Sequence, residues 1–153
     1  MADEFDGVRI DGGALESVSV RDLRDPDRFA TWVRLLLDNE RGKNLPEGFV
    51  PSSTRWIAED GRLVGFVSIR HQLNDWLREA GGHIGYAVRA SARNRGIATA
   101  AAALALEECR RRGVTRVLIT CDVDNGASAT VIEHNGGVLE DVRGGKRRYW
   151  VTL

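Results

Sequence analysis

The chain has 153 residues, 22 basic and 22 acidic, and a formal net charge of zero. That length fits one domain spanning residues 1–153 with one sizeable core, and the even balance argues against general nucleic-acid binding, which needs a broad basic face. The two cysteines, Cys109 and Cys121, are too few and too far apart for a disulfide framework or a zinc site, so no metal is expected and a reduced, cytoplasmic setting is the simple reading.

Met1 to Ala14 is acidic, contains glycine and is expected to be loose at its start. Nothing there resembles a signal peptide. No apolar stretch is long enough for a membrane span, since Ile97 to Leu106 gives only about half of the ~20 residues required. Leu15 to Asp22 alternates through Val18 and Val20 and reads as a first strand. Asp25-Pro26 looks like a helix entry, followed by Phe29, Trp32, Val33, Leu36 and Leu37 at helical spacing. Arg41 to Ser53 reads as a loop. Arg55–Glu59 and Leu63–Arg70 read as strands joined at Asp60-Gly61, a strong hairpin signal. Asn74 to Glu79 suits a short helix or turn, ended by Gly81-Gly82.

The stretch from His83 to Gly113 carries the most information. It reads as a strand (His83–Val88), a basic turn (Arg89–Arg95) and a helix opening at Gly96 and closing at Gly113. No acidic residue lies between Glu79 and Glu107. Helix starts favour Asp or Glu, because unpaired N–H groups and the dipole make that end positive. Here Arg93 and Arg95 flank a glycine instead, which makes sense if a bound anion, a phosphate above all, completes the site. In Arg93-Asn94-Arg95-Gly96-Ile97-Ala98-Thr99, Gly96 lets the backbone approach a ligand. Ala98 leaves nearby N–H groups accessible, Thr99 offers a hydroxyl, and Arg93 or Arg95 offers a fork of donors. The plain alternative is a helix that starts at a glycine and happens to be basic.

Further on, Arg116–Cys121 reads as a buried strand. Ala127–Asn135 reads as a helix for which Asn125 is a candidate cap. Val138–Val142 and Arg148–Leu153 read as closing strands joined near Gly144-Gly145. The order β-α-loop-β-β-β-α-β-α-β-β describes a mixed α/β sheet with helices packed on it.

Two blocks resemble one known family. Arg93, Gly96 and Ala98 fill the pattern Arg/Gln-x-x-Gly-x-Gly/Ala, after a strand and opening an alanine-rich helix, as in the coenzyme A motif of the GNAT N-acetyltransferases. Asn125, Ser128 and the helix-ending Asn135-Gly136-Gly137 match a second GNAT pattern in the right order. The resemblance covers about Arg55 to Leu153 and is strongest from His83 to Gly137. Gly82-His83-Ile84-Gly85-Tyr86 and Leu118-Ile119-Thr120-Cys121 look most like a bacterial branch without assigned substrates.

The resemblance implies the GNAT fold, with the pantetheine chain of acetyl-CoA slotted between splayed strands near Tyr86–Val88 and Ile119–Cys121. It implies backbone contacts from Ala87 and Val88, and diphosphate contacts from Arg93, Asn94, Arg95, Gly96, Ile97, Ala98 and Thr99. Asn125 and Ser128 would also touch the cofactor, although Asn125 could merely cap its helix. The implied reaction moves an acetyl group from acetyl-CoA to an amine of a small molecule or protein, leaving coenzyme A. Two family features are missing. The tyrosine that protonates the leaving thiolate would fall at Ile132, and the carboxylate before the turn at Gly82. His83 and Tyr86 are the candidate catalytic residues, each with an ordinary structural alternative, and water-mediated proton transfer stays open. A non-catalytic coenzyme A-binding or regulatory module is the alternative function. Arg41–Ser53, Trp32, Trp76 and His71 are candidates for the acceptor side, and the closing strands could support a homodimer.

Overall fold

The computed structural model describes residues 20–153. Residues 15–19 of the expected first strand lie outside this range. Its remaining residues belong to a short helix, α1 (Val20–Arg24), because Val20 and Leu23 are three apart, a helical rather than a strand interval. Asp25 then caps α2 (Pro26–Glu40), its carboxylate accepting from the N–H groups of Asp27 and Arg28 with Pro26 in the first turn. The expected helix entry is therefore present, with its cap chemistry.

Six strands form one sheet in the order β1-β2-β3-β4-β6-β5. β1 (Ser52–Glu59) and β2 (Arg62–Arg70) make an antiparallel hairpin, turning at Asp60 (φ 49°) and Gly61 (φ 73°). Positive φ at both central residues matches the twist of a two-residue hairpin. A single π-helical turn (Leu77–Gly81) precedes β3 (Ile84–Val88). A short 3-10 turn (Ala90–Ala92) leads towards α3 (Ile97–Arg111). β4 (Arg116–Asp122), α4 (Gly126–His134), β5 (Val138–Arg143) and β6 (Lys146–Thr152) follow.

Adjacent residues of a strand face opposite sides of the sheet, and both sides are used here. Arg55 reaches Glu108 of α3, while its neighbour Trp56 meets Trp32 of α2 edge-on at 5.4 Å. On the α3/α4 side, Val67, Ile69, Ile84, Val117, Ile119 and Cys121 pack under Ala101, Ala105, Cys109, Ala129 and Ile132. Burial of these apolar side chains is the main stabilising term. Small residues on α3 let it lie close to the sheet. Among the described residues, no helix is long and apolar enough to cross a membrane.

Candidate functional site

β3 and β4 run parallel but share a single paired position, Ile84 with Ile119. Beyond it the strands part. The joint is closed by His83, whose N–H donates to the Leu118 carbonyl at 2.7 Å and whose Nδ1 accepts the Leu118 N–H at 2.9 Å. His83 is 6% exposed, and burial pulls its pKa down to about 4. A neutral ring accepting at Nδ1 carries its proton on Nε2. Neither nitrogen then offers a lone pair to a substrate at neutral pH, so this histidine holds the strands together.

The register fixes which backbone groups face the opening. Arg89 donates to Val64 across the β2 side, and Arg70 donates to His83. Alternation along the antiparallel pair then turns the N–H and C=O of Ala87 towards its partner Phe66, and those of Tyr86 and Val88 towards β4. Of the two expected backbone contacts, Val88 faces the gap and Ala87 does not. The Tyr86 main chain, which the sequence did not single out for this purpose, takes its place. The opposite wall follows from Leu153 donating to Thr115, which alternates Thr120 and Asp122 towards the gap. The Val88 carbonyl already accepts from Arg93 Nε at 3.0 Å, so part of the Arg93 fork secures the end of β3.

The Tyr86 ring lies on the α3/α4 side, and its hydroxyl donates to the Ser128 carbonyl at 3.2 Å. Burial pushes its pKa up to about 12, so it holds its proton throughout the neutral range. Asn125 caps α4, its Oδ1 accepting the Ser128 N–H at 3.0 Å. Cys121 is buried, and burial raises its thiol pKa.

At the far end of β3, α3 begins at Gly96 in the left-handed region (φ 76°). No side chain caps this helix and no acidic residue lies in its first turn. A Cβ at Gly96 would meet nothing within 4 Å, so the space above the first turn is open. Arg93, Asn94, Arg95 and Gly96 are exposed, whereas Ile97, Ala98 and Thr99 are half-buried. The Thr99 carbonyl accepts from Asn135 Nδ2 at 3.2 Å, tying this turn to the end of α4. Arg95 is already engaged: its Nη1 and Nη2 meet Glu59 at 2.8 and 2.9 Å. An uncapped helix start, an open glycine and a strand-width gap with inward-facing backbone groups fit a long ligand carrying a diphosphate at one end.

The two absent family residues have physical reasons. Gly82 sits at φ 63°, and a Cβ there would lie 2.6 Å from the Leu118 carbonyl oxygen, so no carboxylate fits. Ile132 is fully buried in the core, facing away from solvent. Other candidates scatter. Trp32 is buried against Trp56, while Trp76 is 63% exposed on the turn before β3. His71 contacts Ser53 at 2.8 Å, in a polar cluster with Glu40, Arg55, Glu108 and Arg112 at the C-terminal end of α3. His134 is exposed. A groove of about 670 Å³ between β1 and α3 mixes apolar residues such as Ile57 and Leu104 with the charged Glu59, Glu108 and Arg111, and it reaches Ile97 at the start of α3. Among the described residues, no cluster of three or more His, Cys, Asp or Glu could hold a metal.

The family model described as Acetyltransferase (GNAT) family matches residues 17–136. RimJ from Mycobacterium smegmatis, solved with CoA-disulfide, superposes with a TM-score of 0.64 at 25% identity, over 83% of this chain and 62% of that one. The ribosomal L7/L12 alpha-N-protein acetyltransferase RimL gives 0.60 at 22%, over 83% and 70%. The microcin C7 self-immunity acetyltransferase MccE, solved with acetyl-CoA and AMP, gives 0.58 at 23%, over 83% and 71%. No curated protein sequence matches the chain.

Proposed function

The chain belongs to the GNAT acetyltransferase family, and from that premise we propose that it moves an acetyl group from acetyl-CoA to a primary amine of a small molecule or protein. The observation that carries the proposal is the uncapped start of α3 at Gly96, placed at the mouth of the gap between β3 and β4. The N–H groups of Ile97, Ala98 and Thr99 would hold the diphosphate, aided by the helix dipole. The Tyr86 and Val88 backbone would hold the pantetheine amides as an added strand would. Acetyl-CoA, when bound, supplies the activated acyl group.

The remaining chemistry falls to a few groups. The Val88 N–H, facing the gap, would steady the thioester oxygen as negative charge grows on it. Tyr86 Oη, which burial keeps protonated, would donate a hydrogen bond to the coenzyme A sulfur as the C–S bond breaks, and the proton lost by the amine would reach that thiolate through water. With Gly82 and Ile132 in place of the family's carboxylate and tyrosine, water would take the proton from the incoming amine. Asn125 acts through its cap, by setting where Ser128 lies.

The absent carboxylate and tyrosine are also what a non-catalytic coenzyme A-binding module would show. Calorimetry with acetyl-CoA, followed by thiol release over amino acids, polyamines, aminoglycosides and peptides, separates the two readings. Binding with turnover on at least one amine is expected. Binding without turnover across the panel would leave the binding module, and no binding would remove both.

A further inference from the structure

The carboxylate at Glu59 has no part in that scheme, yet it touches the anion site directly. Glu59 ends β1, next to the Asp60-Gly61 turn. It reaches across 36 positions of sequence to Arg95, the residue before Gly96. Both terminal nitrogens of the guanidinium are engaged, at 2.8 and 2.9 Å, in the two-pronged arrangement that carboxylates and phosphates share. The Arg95 side chain is 52% exposed and that of Glu59 is 33% exposed. Both side chains reach solvent, so the pair can open.

We propose that Glu59 is an internal anion that competes with the phosphate groups of the ligand for Arg95 and thereby sets the affinity for acetyl-CoA. The inference rests on the function proposed above. A phosphate arriving at the α3 start meets an arginine whose fork is already filled, and a carboxylate of like charge beside it. Binding then exchanges one anion for another at Arg95. The exchange lowers affinity and favours release of coenzyme A after transfer. Exposed ion pairs are weak, so a competitor of this kind tunes binding without blocking it. The shared chemistry is a phosphate. It could be the diphosphate or the 3′-phosphate of the ribose, and the experiment separates them.

The test is calorimetry on the full chain at two salt concentrations, with coenzyme A and with dephospho-coenzyme A. Glu59→Gln keeps the shape and removes the charge. It is expected to bind coenzyme A about two- to five-fold more tightly than wild type, as an exposed ion pair permits, and to lose affinity more steeply with salt. Arg95→Gln should weaken wild type only slightly but cancel the whole gain in the Glu59→Gln background. A merely structural Glu59 would not produce that coupling. If the gain persists with dephospho-coenzyme A, the diphosphate is the competing group, and if it disappears, the 3′-phosphate is. Wild-type binding with unchanged or weaker binding by a folded Glu59→Gln overturns the competitor alone. Absence of coenzyme A binding in wild type overturns the underlying functional reading, and this inference with it.

Discussion

Replacing His83 tests the joint from which the gap opens. In the folded chain burial holds this imidazole at about 4, against an ordinary 6.5. A folded-state value below the unfolded one means that the unfolded chain binds more protons as pH falls. The contribution of His83 to stability is therefore complete above about pH 6.5 and is lost as pH falls towards 4. At 1.36 kcal/mol per unit, discounted for incomplete burial, the loss is about 2–3 kcal/mol. His83→Leu removes the titration and leaves the Leu118 N–H without its acceptor, costing about 1–3 kcal/mol at pH 7. His83→Asn offers an oxygen near the position of Nδ1 and should recover part of that cost. Urea unfolding of the three proteins between pH 7 and 4.5 measures both effects. The burial-lowered His71 adds a slope of the same sign, but it is common to all three and cancels in the comparison. Both variants should lose the ~2 kcal/mol increment that wild type shows on acidification. A His83→Leu profile as steep as wild type would refute the assignment of a neutral, hydrogen-bonded ring to this joint.

Tyr86→Phe removes the hydroxyl bonded to Ser128. It should lower kcat on the best amine by about 10²-fold while leaving coenzyme A affinity within a factor of about three, as read by steady-state kinetics beside calorimetry; equal kcat would take Tyr86 out of the chemistry. At the other end of the molecule, Arg55 bridges Glu40 and Glu108, and its hydrogen bonding lowers the Glu40 pKa to about 2. Because that value lies below the ordinary 4.5, the stabilisation is present above about pH 4.5 and is lost as pH falls towards 2. Arg55→Ala should cost about 1 kcal/mol at pH 7, with less effect at pH 3, by the same unfolding assay.

Much of this architecture could be read before any coordinates, for local reasons. Asp25-Pro26, Asp60-Gly61, Gly96 and Asn125 each act on their own turn, so the cap or turn chemistry is written within a few residues. The apolar spacing of α2 and α3 is equally local. The features that escaped depend on partners distant in sequence. Whether Ala87 or Val88 faces the gap is a matter of register with β2, and a one-residue shift reverses it. Arg95 looked available for an anion because Glu59 is 36 residues away. His83 looked like a base because its acceptor role requires Leu118, 35 residues on. Trp32 belongs to the core through Trp56, a contact that periodicity alone does not disclose. Val20 and Leu23 show the reverse error, where strand-like alternation gave way to a helical turn.

The proposed activity depends on the first-turn amides of α3 holding the diphosphate, so a crystal structure of the acetyl-CoA complex tests it most directly. The expected result places the diphosphate within hydrogen-bonding distance of the N–H groups of Ile97, Ala98 and Thr99, with the pantetheine chain between the Tyr86–Val88 and Thr120–Asp122 walls. A cofactor bound with its diphosphate away from Gly96, or lodged in the groove between β1 and α3, would contradict it.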